Sequence, residues 1–394
     1  MSEPRAPRAQ ASVNLAAIER NCARLLVELS DGGLLCAVVK ADGYGHGAVQ
    51  SARAALAGGA EWLAVAGAQE ACELRAAGLG EPPILVMGAL REDELSAALA
   101  VDADVVVWSE PFLEQVARAG GGRVHVKLDS GMGRLGTRDG ELAARLCELA
   151  RATPGVELVG LMTHFATADE LDDEGFFAGQ LELFGDWAQA QKARQPELIV
   201  HAANSAALLR EPQARFDMAR CGIAVYGMDP FGLDPLAHAL EPALTLSSYV
   251  AEVKSYRPGE SAGYGRRFIA DRDTWLGVLP IGYGDGWRRG LSNNAEVLVG
   301  GARRALVGTV SMDNTTIELG DEREAGADAL RLRGAPAVLI GREGAERITV
   351  EQVATRLQTI NYEITCGLTP RVPRVYHRDG VALDEASWLP ADHG

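Results

Sequence analysis

Eight short apolar runs, strung along residues 34–222, constrain most strongly what this chain can fold into. They read LLCAVVK (34–40), EWLAVAG (61–67), PPILVMG (82–88), ADVVVWS (103–109), RVHVKLD (123–129), VELVGLMTH (156–164), ELIVHAANS (197–205) and FDMARCG (216–222). Between them lie Ala/Leu/Glu/Arg-rich stretches with helical spacing, such as AVQSARAALAGG, AQEACELRAAGL and DGELAARLCELARAT. Strands that are apolar on both faces and alternate with helices must be covered on both sides, which implies parallel β/α units. Eight units in roughly 200 residues fit an α/β fold built as a (β/α)8 TIM-like barrel.

The texture changes near residue 240. LTLSSYVAEVKSYR, TWLGVLPIGY, AEVLVGG, RRALVGTVSM, NTTIEL and PAVLIG read as strands with turn signals, interrupted by one helical stretch, TVEQVATRLQTI. The expected organisation is a barrel over 12–236 followed by a mostly β domain over 237–394, the latter joined by an N-terminal strand near 11–15. Residues 1–9 read as a disordered tail without the apolar core of a secretory signal. No apolar run approaches the roughly 20 residues of a membrane span. The net charge of -16 repels phosphate backbones and anionic membranes, which argues against both as partners. The 6 cysteines are scattered with no CxxC pair, so they read as buried free thiols of a reducing cytoplasm, not a disulfide or zinc framework.

In a barrel of this kind the working residues stand at the C-terminal ends of the strands. Lys40, Lys127, His164, His201, Asn204, Ser205 and Arg220 all fall there, with Arg134 just beyond the fifth run. A lysine at a buried strand end has two readings. It can snorkel to solvent, or burial can lower its pKa and make it a nucleophile that forms a Schiff base with an aldehyde. GYGHGA (43–48) also matches the dinucleotide turn G-x-G-x-x-A, but the eightfold β/α count disfavours a doubly wound sheet. Barrels often hold phosphate on the rim after the seventh and eighth strands. Ser205 supplies a hydroxyl there, and Gly222–Ile223 offer two backbone N–H groups. Taken singly, Ser205 and Gly222 read equally as a cap and a turn. Together with a Schiff-base lysine they suggest a phosphorylated aldehyde, pyridoxal phosphate. Arg220, protonated at all ordinary pH, would keep a pyridine nitrogen beside it unprotonated, unless it is only a rim arginine in a surface ion pair.

AVVKADGYGHG, VHVKLDSGMGRLG, MTHFATADE, HAANSAA, RCGIAVYG, SAGYGRRF, IGYGDG, VGTVSMDN and INYEITCGLTPRVPRVY, in this order, resemble the successive motifs of the alanine racemases. The resemblance covers about residues 11–380. It implies a barrel plus a β domain in a head-to-tail homodimer, with pyridoxal phosphate as cofactor. It implies Lys40 and Tyr264 as the two catalytic bases, Tyr264 reaching the partner subunit's cofactor. It implies further that Tyr44, Arg134, His164, Asn204, Ser205, Arg220, Gly222, Ile223 and Tyr362 surround the cofactor, and that Lys127 matches a lysine carbamylated in many relatives. Arg134, Met312 and Asp313 would bound the substrate, and Tyr283, Asp169 and Arg288 the entrance; no metal is implied. Asp42, Gly43 and Asn314 depart from the family's commoner residues, which leaves substrate breadth open.

Inverting a carbon needs a base on one face and an acid on the other, and Lys40 with Tyr264 supplies that pair. A tyrosine in that role needs a positive environment, for which His164 and Arg220 are the candidates. The expected activity is interconversion of L- and D-alanine for peptidoglycan. The alternatives are a broad-specificity racemase of the same architecture, a basic-amino-acid decarboxylase and a non-enzymatic pyridoxal phosphate carrier. GYGRRF and Arg220 disfavour the decarboxylase, and the second domain disfavours the carrier.

Overall fold

The computed structural model describes residues 7–29, 32–321 and 328–383. Strand β1 (Gln10–Asn14) comes first in the chain. Each of the eight apolar runs then contains one strand: β2 (Leu34–Val38), β3 (Trp62–Val65), β4 (Ile84–Val86), β5 (Asp104–Val107), β6 (Gly122–Lys127), β7 (Val156–Met162), β8 (Ile199–His201) and β9 (Met218–Cys221). They pair in parallel in the order β8-β7-β6-β5-β4-β3-β2-β9. The ring is closed by backbone bonds from Asp217 N–H to the Val200 carbonyl (3.0 Å) and from Arg220 N–H to the Ala203 carbonyl (2.9 Å). The strands are buried on both faces, as their composition requires. Helices Ala48–Ala57, Ala68–Ala76, Glu110–Arg118, Gly140–Ala152 and Phe176–Lys192 fill the helical stretches. The fold is therefore the (β/α)8 barrel plus a mostly β domain.

The described residues divide into two compact units, 18–241 and 7–17 with 242–383. The second is built around β1. Ala11 and Val13 point inward on alternate positions and are fully buried. β1 runs antiparallel to β10 (Leu244–Tyr249) on one side and parallel to Arg374–Arg378 on the other. β10 continues the sheet to Pro336–Glu343, Glu296–Val299 and Ala302–Ala305. The run 244–257, continuous in sequence, breaks at Val250. Its second half, Glu252–Tyr256, enters a separate antiparallel sheet with Thr274–Leu279 and Thr315–Asp321.

Residues 1–6 of the expected tail lie outside the described residues, as do 384–394 at the other end. Residues 8 and 9 are not a tail: Arg8 pairs with the buried Asp285 and donates to the Pro280 carbonyl at 3.0 Å, and Ala9 is buried. The cysteines are free thiols, but Cys366 is exposed and Cys72 half-buried. Burial pushes the thiols of Cys36, Cys147 and Cys221 up to about 12, which leaves them protonated and inert. No described helix is long and apolar enough to cross a membrane.

β1 sits between two strands, so removing it leaves two unpaired edges. Deletion of residues 1–14 should lower the melting temperature sharply and bring aggregation, read by calorimetry and light scattering; an unchanged melt would show that β1 is dispensable.

Candidate active site

At the end of β2 the chain adopts a rare backbone. Ala41, Asp42, Gly43 and Tyr44 have φ of 52°, 52°, 59° and 53°, a full left-handed turn. Left-handed geometry costs roughly 1–2 kcal/mol for each non-glycine residue, so something must hold it. Backbone bonds run from Gly43 N–H to the Val39 carbonyl (2.9 Å) and from Gly47 N–H to the Asp42 carbonyl (2.8 Å). The Asp42 carboxylate accepts Ala48 N–H at 2.9 Å. Glu70 grips the turn from outside. One of its oxygens accepts Ala41 N–H at 2.8 Å and the other accepts Ala66 N–H at 2.7 Å. The turn places Lys40 at the strand exit and swings Tyr44 inward, where its ring lies 5.1 Å from that of Tyr226. The Tyr44 hydroxyl lies over Gly222: a Cβ there would meet it at 2.2 Å. Gly222 is thus glycine because Tyr44 needs the space.

The rim after β8 and β9 differs from the sequence expectation in one respect. The Gly222 N–H is not free; it donates to the Ser205 hydroxyl at 3.1 Å, as does Ala224 N–H at 3.4 Å. Ile223 opens the short turn Ile223–Tyr226, a position whose N–H has no partner within the turn. Asn204 acts as a helix cap, its side-chain oxygen accepting Ala207 N–H at 2.9 Å.

Arg220 is enclosed in the barrel, and every direct partner of its guanidinium is neutral. It donates to His201 Nδ1 (2.8 Å), the Thr163 carbonyl (2.8 Å), the Ala202 carbonyl (3.1 Å) and His164 Nδ1 (3.2 Å). It is not a surface ion pair. Its burial and that of its neighbours govern the electrostatics. Arg220's own pKa is lowered to about 10 by burial. His164 is held well below the ordinary imidazole range, by burial first and then by Arg220, Lys127, Arg134 and Lys40. Lys127, at the end of β6, is lowered to about 8 by burial and by Arg220 and Arg134. Four cations converge on one end of the barrel in a chain of net charge -16. Such a site fits an anion.

Arg134 is exposed, on a loop that Asp129 organises. The buried Asp129 carboxylate accepts the N–H groups of Gly131 (3.1 Å) and Gly133 (3.0 Å). Sequence reasoning singled out neither Asp129 nor Glu70. The signal for Asp129 was a carboxylate two residues after the strand-end lysine; Glu70 carried none, because the turn it braces cannot be read from composition.

These residues, Lys40 to Ile223, are gathered in the barrel unit, with Asp169 exposed on the same unit. Tyr264, Met312, Asp313 and Tyr362 belong to the other unit. Tyr264 is 74% exposed, on a turn whose flanking Gly263 and Gly265 have φ of 74° and 70°. The Thr309 hydroxyl donates to the Tyr264 carbonyl at 2.7 Å, which ties this turn to the loop carrying Met312. Met312 is 51% and Tyr283 42% exposed, and Tyr283 N–H donates to the Ser311 carbonyl at 3.0 Å. Asp313 pairs with Arg371. Arg288 pairs with Glu363, next to the half-buried Tyr362.

Replacing Glu70 with Ala strands the N–H groups of Ala41 and Ala66. A stability loss of about 1–3 kcal/mol in urea titration is expected, with Glu70→Gln, which keeps one acceptor, falling between; equal stability of all three would remove Glu70 from the turn's support.

Residues 13–230 match the family described as alanine racemase, N-terminal domain, and residues 243–376 the alanine racemase C-terminal domain. The chain is 41% identical to the alanine racemase of Geobacillus stearothermophilus over 374 residues, covering 93% of each. It is 38% identical to alanine racemase 1 of Bacillus subtilis over 379 residues, 95% of this chain and 94% of the relative. Among solved structures, the alanine racemase of E. faecalis superposes with a TM-score of 0.86 at 36% identity, over 96% of this chain and all of the other. Over nearly its whole length, then, this chain belongs to the alanine racemase family.

Proposed function

We propose that this chain interconverts L- and D-alanine with pyridoxal phosphate as cofactor, and supplies D-alanine for peptidoglycan. The observation that carries the reading is the enclosed Arg220, bonded to neutral groups, in a ring of cations that includes two strand-end amines, Lys40 and Lys127. The residues present fit the cofactor. Tyr44, Ser205 and Ile223 offer neutral donors to a phosphate, beside a glycine that leaves room for the Tyr44 hydroxyl, with Asn204 bracing the helix that carries Ser205. Tyr362 would complete that cradle. Arg134 would face the phenolic oxygen.

Bound pyridoxal phosphate supplies an aldehyde for an amine and an electron-withdrawing ring that acidifies the α-hydrogen of an amino acid. Arg220 can only donate, so a ring nitrogen against it stays unprotonated and the electron sink stays shallow. Arg220 so placed would favour prompt return of the proton to the same carbon. Lys40 is the base on one face. Tyr264 is the acid on the other, offered outward on its turn to the partner subunit of a homodimer, with Met312 and Asp313 beside it bounding the substrate. His164, held neutral by burial and then by the surrounding cations, can accept or donate a hydrogen bond without adding a fifth charge. Cysteines outside any disulfide suit the cytoplasm.

Lys127 is read as a modified residue. With a folded pKa near 8 against an ordinary 10.5, its charged form opposes folding by about 3 kcal/mol at neutral pH. That penalty is present below pH 8 and fades as pH rises through 8 towards 10.5. Lowering the pKa to about 8 raises the neutral fraction of the amine, and that neutral form, among Arg220 and Arg134, can add carbon dioxide, releasing a proton and leaving a carbamate, which turns a like charge into a counter-charge.

Alanine inversion in D2O, with serine and lysine in parallel, tests the activity. Inversion selective for alanine, reduced on the order of 10³-fold from the L side by Tyr264→Phe, is expected; carbon dioxide released from lysine would replace the reading with a decarboxylase. In buffer freed of carbon dioxide, Lys127→Met should raise the melting temperature near pH 6 and do so much less near pH 10. Labelled bicarbonate should give a carbamate carbon signal in the wild type that Lys127→Met lacks.

A further inference from the structure

Behind Arg220 a chain of buried polar side chains runs down the barrel interior. Arg220 donates to His201 Nδ1 at 2.8 Å. His201 Nε2 lies 2.9 Å from His125 Nδ1. His125 Nε2 lies 3.1 Å from one oxygen of Asp104, whose other oxygen accepts Arg123 Nε at 2.6 Å. Asp104, His125 and His201 are completely buried. Asp104 opens β5 and Arg123 stands near the start of β6, so the chain joins the N-terminal face of the barrel to the rim that carries Lys40. At the lower end Arg123 also pairs with the exposed Asp102 at 2.8 Å.

The direction of this chain is determined. An arginine only donates and a carboxylate only accepts. With a donor at one end, His201 Nδ1 must hold a lone pair, so a neutral His201 carries its proton on Nε2. That proton points at His125 Nδ1, so the His125 proton sits on Nε2, where Asp104 receives it. One proton arrangement satisfies all the bonds with both rings neutral, and burial together with Arg220 holds His201 well below the ordinary imidazole range.

The backbone is built around this chain. The β6–β7 register shifts between Val124 and His125, where Gly160 comes opposite His125. A Cβ on Gly160 would lie 2.2 Å from His125 Nδ1. Bulges of this kind re-aim side chains, and here the bulge and the glycine together admit the imidazole. The ordinary reading of polar residues at the N-terminal face of a barrel is stability. Stability alone does not call for a hydrogen-bonded line of two imidazoles ending on the enclosed arginine of the candidate cofactor site.

We propose that Asp104, acting through His125 and His201, is a positioning residue for Arg220: it fixes the proton on each ring so that a lone pair, not an N–H, meets the guanidinium. This rests on the reading of Arg220 as the residue against the cofactor's ring nitrogen. In Asp104→Asn the charge is lost, and the amide must turn an N–H either on His125 Nε2 or on Arg123. A reversed His125 would set its Nδ1–H against His201 Nε2–H, and the conflict passes up to Arg220.

The test uses full-length protein labelled with 15N at histidine, first without cofactor. Long-range proton–nitrogen spectra should show His125 and His201 neutral with the proton on Nε2 in both; a proton on Nδ1 of either overturns the proposal. Asp104→Asn should change both ring patterns and weaken pyridoxal phosphate binding about tenfold, measured by equilibrium dialysis. Asp102→Asn, which pairs with the same Arg123 but lies off the chain, should change neither. Asp104→Asn spectra and affinity indistinguishable from wild type would overturn the proposal. Should Asp104→Asn not fold, His125→Leu cuts the chain while keeping the Asp104–Arg123 pair, and decides by the His201 ring pattern and the affinity: both unchanged would overturn the proposal. If the ring patterns and the affinity loss appear but the wild type does not invert alanine, the proposed activity falls and the positioning stands.

Discussion

The site depends on one interaction, the burial of Arg220 without a carboxylate in contact. A buried cation of this kind is costly unless its N–H groups are satisfied. Here two backbone carbonyls and two imidazole nitrogens satisfy them. That choice has consequences around the pocket. The imidazoles must stay neutral to accept, so His164 and His201 are driven down. Lys127, within the same field, is driven to about 8. Among the described residues no carboxylate bonds to Arg220, and Asp129, which acts on Lys127, is engaged by Gly131, Gly133 and Arg138, so an anionic ligand fits among the four cations. Had a carboxylate sat against Arg220, the field would be cancelled before any ligand arrived, and a ring nitrogen would compete with it for the guanidinium.

Much of this was legible in the sequence, for identifiable reasons. Strands apolar on both faces are unambiguous in a parallel barrel, so all eight runs contain their strands, and the polar residues at their ends mark the rim. The β domain was legible as strands but not as sheets. Nothing in 244–257 signals that Val250 ends one sheet and Glu252 starts another, because the division is made by partners distant in the chain. The left-handed turn was not legible either. Its three glycines announce a turn, but Ala41 has no intrinsic tendency to positive φ and Asp42 only a modest one. Their conformation is imposed by Glu70 and by Asp42's own bond to Ala48. Ser205 and Gly222 were read as separate donors to a phosphate. They are bonded to one another, because a hydroxyl between two strand ends finds the nearest N–H.

Asp104 and His125 sat in plain view inside apolar runs, ADVVVWS and RVHVKLD. A polar residue in the middle of a two-face apolar strand has to point somewhere, and both faces are dry, so it must find a polar partner within the protein. Sequence alone cannot supply that partner: Asp104 to His125 to His201 spans three strands, and only the closed ring brings them to one line. The strands at which these residues occur were thus predictable, while their connection was a property of the topology.

The strain in the Lys40–Tyr44 turn and the field at Arg220 are linked by geometry. A right-handed turn at Lys40 would carry Tyr44 away from Gly222 and open the rim to water. Water would relieve the burial that chiefly lowers Lys127 and His164, and would screen the cations that add to it. The left-handed turn keeps Tyr44 buried over Gly222, so the backbone energy stored at Ala41 and Asp42 maintains a dry wall beside a concentrated positive charge. Strain of this kind persists only where its surroundings over-determine it, and Glu70, Asp42 and the glycines do so.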